Sequence, residues 1–95
     1  MSEPPTTAEI EKVLRSYLCD GRLTAMPRGG RKRQIVLEHL VQRFEPGRRY
    51  SEEQVNVELA DFGNDVAALR RYLVDAGLLD RAAGEYWRIG GPVDV

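Results

Sequence analysis

The sequence predicts a mainly helical α+β fold that ends in a small β-hairpin. Apolar residues recur at helical spacing in four segments, and the last segment is followed by a glycine and two short strand-like runs. A helix followed by a β-wing is how a winged helix-turn-helix ends. The 95 residues, 42% hydrophobic and 31% charged, are enough for one globular domain. We expect this domain at residues 6–89, between a disordered leader at 1–5 and a loose tail at 90–95.

The first half of the chain predicts a helix–strand extension and the first helix of the winged-helix unit. Thr6 and Glu9 have capping-box spacing, so a helix is expected over 7–19. Residues 22–26 alternate polar and apolar side chains, which favours a short strand. A second helix is expected over roughly 31–44, because its apolar residues recur every three to four positions.

The second half predicts two further helices and the hairpin. Ser51 and Gln54 have capping-box spacing at the start of the third helix. Asn64 is a favourable N-cap for the fourth helix, and Gly77 is placed for a left-handed C-cap. Two strands are expected after this glycine, at 78–81 and 85–89, on either side of a turn at 82–84.

Composition argues against several classes of function. No apolar run approaches the length of a membrane span, and the acidic start lacks the apolar core of a signal peptide. Cys19 is the sole cysteine, which favours a cytoplasmic location and leaves this side chain to pack as a small apolar group. His39 is the sole histidine, so a metal site is not expected. Arg28-Gly-Gly-Arg lacks the Lys-Ser/Thr ending of a nucleotide-binding phosphate loop, and no cofactor is expected. No nucleophile–base pair stands out, and we do not expect an enzyme.

The net charge of −1 conceals a marked asymmetry. Residues 28–49 hold seven basic side chains against two acidic ones, whereas residues 50–80 hold two basic against seven acidic. A nucleic-acid-binding domain usually carries its basic residues on the element that docks. Here most of them precede the predicted helix-turn-helix, which counts against the simplest DNA-binding interpretation.

Six motifs follow one another along most of the chain: Gly21-Arg-Leu-Thr-Ala-Met-Pro27, Arg31-Lys-Arg33, Tyr50-Ser-Glu-Glu-Gln-Val-Asn56, Asp65-Val-Ala-Ala-Leu-Arg-Arg-Tyr-Leu-Val74, Gly77-Leu-Leu-Asp-Arg81 and Tyr86-Trp-Arg88. In this order, over about residues 17–88, they resemble a bacterial domain-of-unknown-function family, number 2087. The resemblance implies a winged-helix fold and an association with transcription regulators, since members occur alone or attached to helix-turn-helix regulators. It implies no catalytic residues.

The fourth predicted helix is the candidate recognition element. Its buried stripe leaves Asn64, Ala68 and Arg71 as candidates for contact with DNA bases. The alternative is that Asp65, Arg70 and Arg71 form ion pairs that hold this helix to its neighbours. The structural role is favoured for Asp65 and Arg70, and both roles stay open for Arg71.

The loop formed by residues 28–33 is a second candidate site. Its four basic residues, Arg28, Arg31, Lys32 and Arg33, are candidates for contact with DNA phosphates. Positive charge at the start of a helix opposes the helix dipole, which mildly favours a role for this charge. The alternative is an ordinary solvated loop.

The predicted hairpin is a third candidate site. Arg81 and Arg88 flank its turn and can reach the DNA backbone or minor groove. Alternation along the second strand puts Trp87 and Ile89 on one face and Tyr86 and Arg88 on the other. We expect the Trp87 face to cover the core.

We therefore expect a small bacterial winged-helix protein that binds duplex DNA as transcription regulators do. Because a single site of this size binds weakly, a homodimer formed through the first helix is a companion hypothesis. The rival hypothesis is a protein-interaction or dimerisation module of a regulatory complex. The near-neutral outer face of the fourth helix, with Ala67, Ala68 and Val74, favours that rival.

Overall fold

The computed structural model describes residues 4–63 and 65–89. Within them the order of elements is α1 (Thr7–Tyr17), β1 (Leu18–Cys19), β2 (Arg22–Leu23), α2 (Gly30–Val41), β3 (Arg49–Ser51), α3 (Glu52–Ala60), α4 (Val66–Asp75), β4 (Leu79–Ala82) and β5 (Glu85–Arg88). Strands β1 and β2 form an antiparallel hairpin, and the other three form an antiparallel sheet in the order β3-β5-β4. The predicted α+β class is confirmed, and the layout is consistent with a winged helix behind an N-terminal extension.

Three predicted features lie outside the described residues. They are the first part of the leader (residues 1–3), the predicted N-cap Asn64 and the tail at 90–95. The rest of the leader, residues 4–5, has no regular secondary structure.

A single apolar core joins all four helices to the three-stranded sheet. Within it, the Phe44 and Tyr50 rings meet edge to face with their centroids 5.0 Å apart. Leu73 is 0% exposed and anchors α4 in this core. The position of α4 therefore depends on packing along its whole buried stripe.

The predicted helix ends are mostly confirmed. The Thr6 hydroxyl caps α1, and Ser51 and Gln54 form the reciprocal capping box of α3 with bonds of 3.2 and 2.8 Å. Gly77 has a φ of 76°, the left-handed conformation expected after α4. The start of α4 differs by one residue: the Asp65 carboxylate accepts a hydrogen bond from the Ala68 amide at 3.1 Å, so the N-cap is Asp65 and not, as predicted, the preceding residue.

The segment after α1 differs from the prediction. The helix ends at Tyr17, because Leu18 and Cys19 pair with β2 in a tight hairpin. The turn residues Asp20 and Gly21 have φ values of 53° and 82°, which an α-helix does not allow. Cys19 is consequently exposed, and the prediction that it packs as an apolar group is wrong.

The extents of the next two elements also differ. The strand predicted over 22–26 is limited to two residues, and the helix predicted over 31–44 ends at Val41. Phe44 nevertheless stays in the core, through turns that follow the helix.

The face of β5 that covers the core is the opposite of the predicted one. Tyr86 is 4% exposed, whereas Ile89 is 38% exposed and Trp87 is half-buried. Tyr86 lies between Tyr50 of β3 and a residue of β4 in the strand ladder, and this pairing turns it toward the core. Arg88 shares the Tyr86 face, and its guanidinium donates a hydrogen bond to the Phe44 carbonyl at 3.2 Å.

Candidate nucleic-acid interface

Helix α4 presents an exposed line with a cleft on either side. The exposed line consists of Ala67, Arg71 and Asp75, which recur every four residues. One flank faces the β4–β5 hairpin, and the other faces the extended segment 23–26. Of the predicted reading residues, Ala68 is half-buried on the flank toward 23–26, so it does not share the exposed line with Arg71.

We call the space between α4 and the β4–β5 hairpin the wing cleft. It has a volume of about 280 Å³. Three arginines line it together with one acid, one tyrosine and two small apolar residues: Arg70, Arg71, Arg81, Asp75, Tyr86, Ala67 and Val74. The fold thus brings Arg81 of β4 beside Arg70 and Arg71 of α4, which lie eleven and ten residues earlier in the sequence.

Arg70 is the fixed member of the wing cleft. Its side chain is 19% exposed, donates to the Asn56 side-chain oxygen and lies 3.8 Å from a Glu52 carboxylate oxygen. The guanidinium also lies 5.9 Å from the centre of the Tyr86 ring. Arg70 therefore links α4 to α3 and to the hairpin, which is the structural role considered for it from the sequence.

Arg71 and Arg81 are the exposed members. Neither side chain has a hydrogen bond or ion pair to another residue within 4–63 and 65–89. Arg81 is held in place by its backbone, because its amide donates to the Asp80 carboxylate at 2.8 Å. The turn beside it is tight, with positive φ values at Ala83 (52°) and Gly84 (79°).

The basic loop predicted at 28–33 is a loop only over residues 28–29, since α2 begins at Gly30, and its side chains point in two directions. Arg33 turns toward α4: its guanidinium stacks over the Tyr72 ring at 4.5 Å, and its Nε donates to the Pro27 carbonyl at 3.0 Å. Tyr72 lies on the α4 flank opposite the wing cleft. Arg28 is exposed, and no described residue pairs with its side chain.

Arg31 and Lys32 turn toward α1 instead. Arg31 donates two hydrogen bonds to the Glu9 carboxylate, at 2.6 and 3.1 Å. These hydrogen bonds stabilise the ionised carboxylate and so lower the pKa of Glu9. Lys32 lines a groove beside Val13 of α1. The sequence showed a single basic run, whereas α2 directs neighbouring residues to different sides.

His39 lies in a separate pocket at the end of α2. Its ring meets Phe62 edge to face at 6.0 Å, and burial lowers the pKa of its imidazole. Arg43 lines the same pocket and is paired with Asp61 and Glu58. In the part of the chain that the structure describes, no cluster of three or more metal-ligating side chains occurs.

Sequence reasoning missed one member of the site, Arg70, and one contact of a predicted member, Arg33. Arg70 was assigned only to structural ion pairs, and the stacking of Arg33 on Tyr72 has no local signal, because the two residues are 39 positions apart in sequence. The adjacent Arg70-Arg71 pair was the one available hint. Successive helical residues point about 100° apart, so one of the two had to face the hairpin or α3.

The protein is a small α+β domain, consistent with a winged-helix-like layout, with a basic cleft beside its fourth helix. A family model described as an uncharacterized protein conserved in bacteria, domain-of-unknown-function family 2087, matches residues 22–88. The chain belongs to this family, since the match spans more than half of its length. Searches of curated proteins and of solved structures give no match. None of the helices within the described ranges has the length and apolar character to cross a membrane.

Proposed function

We propose that this protein binds duplex DNA, with α4 in the major groove and its flanking arginines on the phosphates. The observation that carries the proposal is the position of charge around α4. Arg71 and Arg81 lie on one side of the helix, and Arg33 lies against Tyr72 on the other. A major groove about 12 Å wide admits a helix and has a phosphate strand along each edge. Cations on both flanks of α4 suit that arrangement.

The proposed binding is mainly to the DNA backbone. Along the exposed line of α4, Ala67 is apolar and Asp75 is acidic, and Arg71 also lines the wing cleft, where its donors suit a phosphate. Phosphate contacts give salt-dependent affinity without sequence preference. We therefore expect modest sequence specificity, and a role as an accessory or regulatory DNA-binding domain in the bacterial cell.

A salt titration on random duplex DNA, followed by fluorescence anisotropy, tests the proposal. Affinity should fall steeply as salt concentration rises, because each neutralised phosphate contributes a slope of about −0.9 in the log–log plot. Failure of the wild-type protein to bind duplex DNA at low salt, as monomer or oligomer, would contradict the proposal.

A matched pair of charge insertions tests the position of α4. Ala67 and Ala8 are both exposed second residues of their helices, where an added glutamate agrees with the helix dipole. Ala67→Glu places a negative charge against DNA and should weaken binding by roughly tenfold or more, whereas Ala8→Glu should leave it unchanged. Equal binding by the two variants would exclude α4 as the docking helix.

A protein-interaction role is the second candidate, and one surface residue favours it. Val57 on α3 is 69% exposed, and the surrounding cleft of about 250 Å³ includes Glu53, Glu58, Arg48 and Tyr50. The sequence predicted an apolar interaction surface on α4 instead, but Ala68 and Val74 of that surface are half-buried. A partner retained on immobilised wild-type protein, lost with Val57→Glu and kept with Ile89→Glu, would support this role. Equal retention by both variants would argue against it.

A further inference from the structure

We infer that the wing cleft is a binding site for a single phosphodiester, formed by Arg70, Arg71 and Arg81. The inference rests on the proposed function, because a phosphodiester is the repeating anion of the DNA backbone. To the proposed function, the inference adds the chemical group that occupies the cleft, the arginines that bind it and a preference for a single negative charge. It also assigns to Arg70 a binding role that the ion-pair interpretation does not include.

The arrangement of donors supports an anion as the occupant. Arg71 and Arg81 approach the cleft from α4 and from β4, and neither guanidinium is satisfied by another described side chain. Each guanidinium carries five N–H donors in a planar fork that matches two phosphate oxygens. An oxyanion between the two elements would satisfy donors that the fold itself leaves to solvent.

Charge within the cleft supports a monoanion. The lining residues Arg70, Arg71, Arg81 and Asp75 carry three positive charges and one negative charge, and Glu52, which lies outside the lining but pairs with Arg70, adds a second negative charge. One positive charge remains. A phosphodiester carries one negative charge, while a phosphate monoester carries nearly two at neutral pH. The cleft therefore matches an internal backbone phosphate better than a terminal phosphate.

Size and rigidity support a small group rather than a whole ligand. The cleft volume of about 280 Å³ lies just below the range of about 300–1,000 Å³ usual for drug-sized ligands. Arg70 is already held by Asn56 and Glu52, and the wing turn fixes the backbone of Arg81. Arg70 therefore loses little conformational entropy when an anion arrives, whereas the Arg81 side chain is held only through its backbone.

Arginine-detected NMR with dimethyl phosphate tests the site directly. Titrating this monoanionic diester into the labelled protein should shift the Nε–Hε signals of Arg71 and Arg81, with saturation, and leave Arg15 on α1 unchanged. Inorganic phosphate at matched ionic strength should bind more weakly. Arg81→Gln should remove the shift at Arg71. Shifts of equal size at Arg15, or tighter binding of inorganic phosphate, would overturn the inference.

Salt titrations of DNA binding by variants of this site separate this inference from the proposed function. Arg81→Gln should lower the magnitude of the salt slope by about 0.9, whereas Arg15→Gln should leave it unchanged. Arg81→Lys should preserve the slope, because charge is retained, but lose affinity, because the planar fork is lost. Thermal unfolding should be the same for all four proteins, since both arginines are exposed.

The two ideas fail in different ways. If wild-type protein binds DNA and Arg81→Gln keeps the full salt slope, the phosphodiester site is wrong and the proposed function stands. If wild-type protein does not bind DNA while dimethyl phosphate still shifts Arg71 and Arg81, the proposed function is wrong and the anion site stands. If neither ligand binds, both are wrong.

Discussion

The two basic regions of this protein differ in what their arginines already contact. In the 28–33 loop, Arg31 is paired with Glu9 and Arg33 is stacked on Tyr72. In the wing cleft, Arg71 and Arg81 have no side-chain partner within the described residues. The loop carries more positive charge in sequence, and its Arg28 and Lys32 are also unpaired within the described residues. Lys32 lies beside α1, however, whereas Arg71 and Arg81 meet in one cleft.

The difference shows that a run of basic residues does not by itself mark a binding surface. An arginine already bound to a carboxylate has to lose that partner, or share it, before it contacts a phosphate. Surface pairs are weak, so this cost is small, but the local charge is already neutralised. The wing cleft gains phosphate contacts without breaking any described ion pair of Arg71 or Arg81.

The largest expected effect comes from a substitution in the core beneath α4, the helix that both basic regions adjoin. Leu73→Ala should lower the free energy of unfolding by about 2–5 kcal/mol, because Leu73 is fully buried where α4 meets the core. Urea unfolding followed by circular dichroism measures this loss. Val57→Ala, at an exposed position of α3, is the control and should change stability by less than about 0.5 kcal/mol. Equal losses in the two variants would mean that α4 is not anchored as described.

The next effect distinguishes the two kinds of arginine within the wing cleft. Arg70→Met should cost about 1.5–3 kcal/mol of stability, because it leaves Asn56 and Glu52 without their charged partner. Arg71→Met, one residue further and exposed, should cost less than about 0.5 kcal/mol. The same unfolding experiment checks both, and the reverse order would contradict the assignment of Arg70 as the fixed member.

A smaller effect concerns the N-cap of α4, which lies on the flank facing segment 23–26. Asp65→Asn keeps the capping oxygen and removes a negative charge, so DNA affinity at low salt should rise by roughly two- to fivefold at nearly unchanged stability. Asp65→Ala loses the cap and should cost about 1 kcal/mol of stability. Anisotropy and thermal unfolding measure the two effects. Weaker DNA binding by Asp65→Asn would show that this end of α4 does not approach DNA.

The smallest effect concerns the ion pair in the loop region. Because Arg31 holds the pKa of Glu9 below its usual range, the pair favours folding above the unfolded-state pKa of Glu9. That contribution is lost as pH falls through the lower, folded-state pKa. Arg31→Gln should raise the pKa of Glu9, as measured by NMR titration of its carboxyl carbon. An unchanged pKa would mean that the pair does not form in solution.

Local sequence signals predicted the element ends well. Thr6, Ser51 and Gly77 act within one helical turn, and their capping chemistry is visible in the sequence alone. The hairpin of β1 and β2 was missed because Leu18 also continues the apolar stripe of the preceding helix. The core-facing side of β5 was wrong because alternation identifies two faces, but the pairing with β3 decides which face covers the core.

The candidate site was less predictable than the fold. The pairing of Arg31 with Glu9 and the meeting of Arg81 with Arg71 depend on how whole elements pack together. Neither has a periodic signal in sequence. Composition therefore located the positive charge, while the packing of α1, α4 and the hairpin determined which part of it remains available for binding.

The most direct test of this account compares two double variants that remove the same number of charges. Salt titrations on duplex DNA would be run for wild type, for Arg71→Gln/Arg81→Gln in the wing cleft and for Arg31→Gln/Lys32→Gln in the loop. The wing-cleft variant should lower the magnitude of the salt slope by about 0.9, because both arginines contact one phosphate, and the loop variant should leave it near the wild-type value. A loss confined to the loop variant, with a full slope in the wing-cleft variant, would contradict the account.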